Sequence, residues 1–208
     1  MKLAVFGSTG GTGRQIVAQA LDAGHEVIAF ARHPAALEAR RGLRIVAGHA
    51  DDQAAVVQAV AGCDAILCAL GGHPLRRRER VCSTAMQNIA AAMRECKVLR
   101  VIAISTFGAG ETRAQVGWFA RTVLFGFILR SEVADKEAME AQLSASPLDW
   151  TVVRIGLLSD GQARGVWRAS DDGSIRGMGK IARADVAAFM LAQLESRAWV
   201  RRRPVLMY

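Results

Sequence analysis

Cysteine is scarce in this chain: Cys63, Cys68, Cys82 and Cys96 are all it has, and no two of them form a CxxC pair. They lie in or beside apolar strand and helix patterns. Neither a disulfide framework nor a zinc cluster is therefore expected, and reduced thiols in a cytoplasm fit this usage. Long apolar runs are missing too. The nearest approach, Val116 to Leu129, is broken by Arg121 and is shorter than the about 20 residues a membrane-spanning helix needs. No signal peptide is expected, because the first residues already read as a strand and a glycine-rich loop. Internal repeats and low-complexity linkers are absent, so residues 1–208 are taken as one domain. Tyrosine occurs once, as Tyr208, the last residue.

What is present fits a water-soluble globular domain. Of 208 residues, 51% are hydrophobic and 22% are charged, enough for one substantial core. The formal net charge is +8. Part of it sits in two triplets, Arg76-Arg77-Arg78 and Arg201-Arg202-Arg203. Basic runs can bind nucleic acid. These two lie in predicted connections, lack interleaved aromatics and belong to no nucleic-acid module. They read as solvated surface, so no nucleic-acid partner is expected.

The most informative stretch is Gly7-Ser8-Thr9-Gly10-Gly11-Thr12-Gly13, directly behind the apolar run Leu3-Ala4-Val5-Phe6. A buried strand, a glycine-rich turn and an apolar-striped helix (Ile16, Val17, Ala20, Leu21) aim backbone N–H groups at one spot. Such a spot suits a diphosphate. Gly7 permits the tight turn, Gly10 the approach of phosphates, and Gly13 close packing of helix on strand. Beyond it, strands are expected near 26–31, 44–47, 64–69, 100–105, 150–154 and 204–207. Helices are expected near 12–23, 52–61, 79–96, 131–145 and 184–195. The third of these carries the stripe Cys82, Ala85, Met86, Ile89, Ala90, Met93. Gly24 stands where a left-handed cap would end the first helix, and Asp185 can cap or open the last. Strand alternating with helix predicts an α/β fold, a doubly wound parallel sheet.

Residues 107–130 and 157–180 break the alternation. The first holds Gly108, Gly110, Trp118, Phe119, Phe125 and Phe127; the second is rich in glycine. Both follow strand C-terminal ends, where open α/β sheets bind ligands. They read either as walls or a lid of a substrate site or as packing decoration. A dinucleotide site of the NAD type places a carboxylate about 20 residues past the glycines. Here Arg32 follows the second strand instead. A guanidinium fork suits the 2′-phosphate of NADP(H), which is favoured over NAD(H) on that ground. The alternative is a solvated charge after a strand. Arg14, in the first turn of the first helix, either assists or points outward.

Seven runs together resemble the atypical short-chain dehydrogenase/reductase superfamily, in its small NAD(P)H-binding branch typified by the biliverdin reductase B (flavin reductase) family. They are FGSTGGTGRQIV (6–17), GHEVIAFAR (24–32), VAGCDAILCALGG (60–72), QNIAAAM (87–93), VIAISTFGAGE (101–111), LDWTVVRIG (148–156) and IARADVAAFML (181–191). The resemblance implies a Rossmann-like fold with Gly7, Ser8, Thr9, Gly10, Gly11, Thr12 and Gly13 forming the diphosphate loop. It places the 2′-phosphate on Arg32, and the adenine between His49 and Ala50, although the family usually has Asp where His49 stands. Leu70 and Gly71 would line the ribose path. Ser105 and Thr106 would border the nicotinamide, and Leu157 would face the same pocket.

The superfamily's catalytic Tyr-x-x-x-Lys reads here Glu132-Val133-Ala134-Asp135-Lys136. The lysine survives and the phenol does not. Lys136 either contacts cofactor and pocket or pairs with Glu132 on an exposed helix face. Ser105, Thr106 and Lys136 are the candidate catalytic residues. The resemblance implies an NADPH-dependent reductase of a flat conjugated acceptor: a free flavin, a quinone or a linear tetrapyrrole. The alternative is an NADP(H)-binding sensor or scaffold without chemistry.

Overall fold

The computed structural model describes residues 1–71, 80–117 and 129–208. Five strands lead into the molecule: β1 (Lys2–Phe6), β2 (Glu26–Ala31), β3 (Leu43–Ala47), β4 (Ala65–Cys68) and β5 (Arg100–Thr106). β6 (Asp149–Ile155), β7 (Leu157–Ser159), β8 (Arg168–Ser170), β9 (Lys180–Ala182) and β10 (Val205–Met207) complete the described set. The described helices are α1 (Gly11–Asp22), α2 (Gln53–Val60), α3 (Val81–Glu95), α4 (Arg130–Ser144) and α5 (Arg183–Ala192).

Eight strands form one sheet in the order β3-β2-β1-β4-β5-β6-β10-β8. All neighbours are parallel except β10 and β8. Strand period decides which helices cover which face. Leu3 and Val5 of β1 join Ile16, Val17 and Ala20 of α1 and Val186, Phe189 and Met190 of α5. Ala4 and Phe6 point the other way, onto Val56 and Val60 of α2, Met86, Ile89 and Met93 of α3, and Met139 and Leu143 of α4. A side chain as large as Phe6 or Leu3, fully buried here, contributes about 1.5–3 kcal/mol by leaving water. This is the doubly wound, Rossmann-like α/β sheet that the alternation predicts.

The strand order reverses between β1 and β4, which places a crevice beyond their C-terminal ends. Gly7 leaves β1 there with φ +78°, and Ala69 leaves β4 beside it, its N–H donating to Phe6 O at 2.9 Å. Gly24, φ +80°, follows α1 as expected, its N–H on Leu21 O.

Several expectations need correction. Residues 157–182 carry three short strands. β7 pairs with β9 in a separate two-stranded sheet, and β8 extends the main sheet antiparallel to β10. Three-residue strands between glycines offer no period to read. Of the two roles offered for Asp185, it opens α5 rather than caps it. It lies in the first turn and accepts from the Arg164 and Gly165 amides at 2.8 and 3.0 Å and from Tyr208 Oη at 2.5 Å. The triplet Arg201-Arg202-Arg203 is not simply solvated. Arg202 forks onto Asp171 and lies over the Trp199 ring, while Arg203 reaches Glu140 and the Trp150 ring. Arg76–Arg78, Arg121 and the aromatic run Trp118, Phe119, Phe125, Phe127 lie outside the described residues. No described helix is long and apolar enough to cross a membrane.

Candidate functional site

The crevice is built first from backbone. A Cβ on Gly7 would fall 2.6 Å from Ala69 O, and one on Gly13 would fall 2.0 Å from Gly7 O. Any side chain at either place would push the loop off the strand ends. Gly10 N–H closes the turn on Gly7 O at 3.0 Å. The start of α1 then differs from the start of α2. Asp52 caps α2, accepting from the Ala54 and Ala55 amides at 3.0 and 3.2 Å. Gly10 provides no side-chain cap for α1, and its first turn holds no acidic residue. Those amides and the positive helix end are left for an external anion. This donor set fits a dinucleotide diphosphate.

Beside the loop lies a cavity of about 320 Å³. Its lining includes Gly7, Thr9, Arg32, His49, Ala50, Leu70 and Gly71 from the sequence reading, and adds Arg80, Val81 and Thr84. Arg32 is exposed at the end of β2. His49 Nδ1 stands 2.6 Å from Asp51 Oδ1, so an acidic group is present next to the position where the family's aspartate is missing. Arg14 is exposed, and its Nε donates to Thr9 O at 3.0 Å, bracing the loop.

Three predicted residues have side-chain partners within the fold. The Ser8 hydroxyl is buried and donates to Phe30 O at 2.8 Å, tying the loop to β2 rather than facing a ligand. Lys136 is only 4% exposed, and its Nζ donates to Leu70 O at 2.7 Å and Ile104 O at 2.8 Å. It lashes the ends of β4 and β5 to α4, so neither the pocket reading nor the exposed ion pair describes it. Thr106 Oγ1 donates to Phe107 O at 3.2 Å. Ser105 Oγ, by contrast, is buried at the end of β5 with no hydrogen-bond partner among the described residues. Thr12 and Gly13 are buried in the helix start, whereas Gly10 and Gly11 are exposed. Leu157, expected to face a pocket, is half exposed. Ser105, Thr106 and Lys136 do not line the cavity.

Two supporting residues escaped the sequence reading. Asn88 Nδ2 donates to Ala50 O at 2.9 Å, fixing one cavity wall from α3. Asp135 caps α3 from outside, accepting from Cys82 N at 2.7 Å and from Ser83 N and Oγ at 2.9 and 2.6 Å. Only the run QNIAAAM hinted at Asn88, and nothing local marked Asp135. The thiol of Cys82 is pushed up to about 11 by burial, against the pull of Lys136. Burial raises Cys63 to about 11 as well. Thiols so held are poor nucleophiles.

Comparison with known proteins agrees with this geometry. The sequence profile of a family described as NAD(P)H-binding matches residues 7–197. The chain belongs to this NAD(P)H-binding family. It is 28% identical over 201 residues to reductase pytE of Aspergillus terreus, with 76% of each chain covered. Its fold is similar to that of ChuY, an anaerobilin reductase from Escherichia coli O157:H7. The TM-score is 0.85 at 25% identity, over 100% of this chain and 97% of that one. A short-chain dehydrogenase/reductase from Veillonella parvula DSM 2008, in complex with NADP, shares the fold with a TM-score of 0.80 at 15% identity. That likeness covers 100% of this chain and 94% of the other.

Proposed function

We propose that the protein is an NADPH-dependent reductase of a flat, conjugated acceptor: a flavin, a quinone or a linear tetrapyrrole. The observation that carries this reading is the uncapped start of α1 opening beside a cavity lined by Arg32. Gly10, Gly11, Thr12 and Gly13 would hold the diphosphate through main-chain amides. Arg32 would pair with the 2′-phosphate, which selects NADPH over NADH. His49 and Ala50 would flank the adenine, with Leu70 and Gly71 along the ribose. When bound, the reduced nicotinamide supplies a hydride.

The protein's part in the reaction is orientation and exclusion of water. The buried, unpartnered Ser105 hydroxyl would orient the carboxamide at the end of β5. Thr106 would border the acceptor, and segments 107–130 and 157–180 would wall it. Glu132 stands where the superfamily has its tyrosine, and Lys136 is engaged with two carbonyls. A conjugated acceptor spreads the incoming charge and takes its proton from water, so that tyrosine is not required.

The test is NADPH oxidation with a panel of FMN, quinones, biliverdin and anaerobilin, the last because a relative is named for it. Turnover with at least one acceptor, weakened by Ser105→Ala, is expected. Tight NADPH binding without turnover on any acceptor would overturn the reductase reading. The engagement of Lys136 favours the second reading in that case, an NADP(H) sensor, whose partner protein would bind the reduced and oxidised states differently.

A further inference from the structure

Arg183, in the run IARADVAAFML, has no role in the reading so far. It is the first residue of α5, and α5 runs beside α1, with Gln19 Nε2 donating to Ala184 O at 3.0 Å. The start of α5 therefore lies against the second half of α1, and the long Arg183 side chain spans from there to the start of α1. A Cβ on Gly11 would fall 2.7 Å from both Cδ and Nε of Arg183 and 3.5 Å from its Cζ. The arginine thus lies directly on the glycine backbone, in the space a side chain at residue 11 would fill. Its Nη1 donates to Asp160 Oδ1 at 2.7 Å. The arginine side chain is 27% exposed and the aspartate 86%. One partner is seated against the loop, and the other stands in water, where such a pair is held weakly.

We infer that Arg183 is a ligand of the cofactor's diphosphate and that Asp160 is the counter-ion it gives up when the diphosphate arrives. The inference rests on the NADPH-binding reading above and deepens it. The amides of Gly11 and Thr12 offer partial charges; a guanidinium touching Gly11 adds a full one, in a fork that matches phosphate oxygens. A diphosphate on those amides lies within a side-chain rotation of the guanidinium. It competes with a single, well-hydrated carboxylate. Glycine at residue 11 is then needed as the seat of Arg183, in addition to any approach of the ligand. Asp160 directly follows β7 (Leu157–Ser159), so the exchange also releases the start of segment 157–180 from the loop.

Calorimetric titration tests this without turnover, using Arg183→Gln, Arg183→Lys and Asp160→Asn. Melting temperatures establish that each variant is folded. For Arg183→Gln, the Kd for NADPH and for NADP should rise about tenfold or more, since a charge-assisted contact is lost. Arg183→Lys, which keeps the charge and loses the fork, should fall between. The Kd for 2′-AMP, which has no diphosphate, should be unchanged in both. Asp160→Asn should tighten NADPH about twofold. A folded Arg183→Gln that binds NADPH within twofold of wild type, or loses 2′-AMP equally, overturns the ligand role. Unchanged or weaker NADPH binding in Asp160→Asn overturns the exchange. Failure of the wild type itself to bind NADPH or NADP sinks the underlying reading instead.

Discussion

The two halves of the sheet are stabilised differently. Around β1–β4 the interior is apolar, and the crevice is shaped by backbone contacts at Gly7 and Gly13. From β5 onward the protein buries Asp135, Lys136, Glu140, Arg154 and Asp185. Arg154 of β6 is 1% exposed and holds Glu140 at 2.6 Å on one side and Glu111 at 2.5 Å on the other. Glu111 belongs to the short 3-10 helix Gly110–Gln115, so this chain of charges pins the start of segment 107–130 onto the sheet. Burial alone would raise the Glu111 carboxyl, yet the hydrogen bond from Arg154 holds it below its ordinary value. The nucleotide half thus depends on where side chains are missing, and the expected acceptor half on which charges are paired. Ligand affinity and fold stability should therefore respond to different substitutions.

Two variants should separate these properties. Arg154→Met leaves Glu140 buried with only Arg203, 3.3 Å away, for company. Removing one partner of a buried pair should cost about 3 kcal/mol, near the low end because Arg203 remains. The melting temperature should drop by about 6–12 °C, while NADPH affinity of the folded protein changes little. Gly13→Ala should act chiefly on affinity, with a smaller cost in stability. Its methyl group meets backbone, Gly7 O, and cannot be accommodated unless the loop moves. Losing two amide contacts to an anion, at about 1.5 kcal/mol each, weakens NADPH about 100-fold by calorimetry. If both variants lost stability and affinity in equal measure, the division would fail.

A smaller effect is expected from Arg32→Ala. Affinity for NADPH should fall about tenfold and that for NADH should not, since one charge-assisted phosphate contact is removed. Equal loss for both cofactors would place the arginine elsewhere than on the 2′-phosphate.

The smallest effect concerns acid. Burial would raise the Asp185 carboxyl, but Tyr208 Oη and the Arg164 and Gly165 amides outweigh it and hold the pKa below the ordinary 3.8. A depressed folded-state pKa adds stability that is complete above 3.8 and is lost as pH falls through the folded value. Asp185→Asn should flatten the pH dependence of stability below about pH 4, measured by urea unfolding across that range. An unchanged slope would mean the carboxylate carries none of it.

The same division governs how much could be read from sequence. The strands around the crevice are apolar runs, β1 is ended by Gly7, and β2 matches its expected range 26–31. Gly7 and Gly13 were legible because a close backbone approach admits no other residue. Arg32, singled out because it stands where a carboxylate is expected, does line the cavity. Lys136 was found by spacing and misread in role, since its acceptors are main-chain carbonyls of Leu70 and Ile104, which no sequence pattern marks. Asn88 on Ala50 O was missed for the same reason. The partners of Arg202 and Arg203 lie far away in sequence, at Asp171 and Glu140, so the triplet read as free charge.

The central claim is that the bare start of α1 and Arg32 together receive NADPH. Calorimetric titration of the unmodified protein with NADPH and with NADH tests it most directly. The account predicts saturable NADPH binding at one site, about tenfold tighter than NADH. Equal affinity for the two would contradict the role of Arg32, and no binding of either would contradict the whole account.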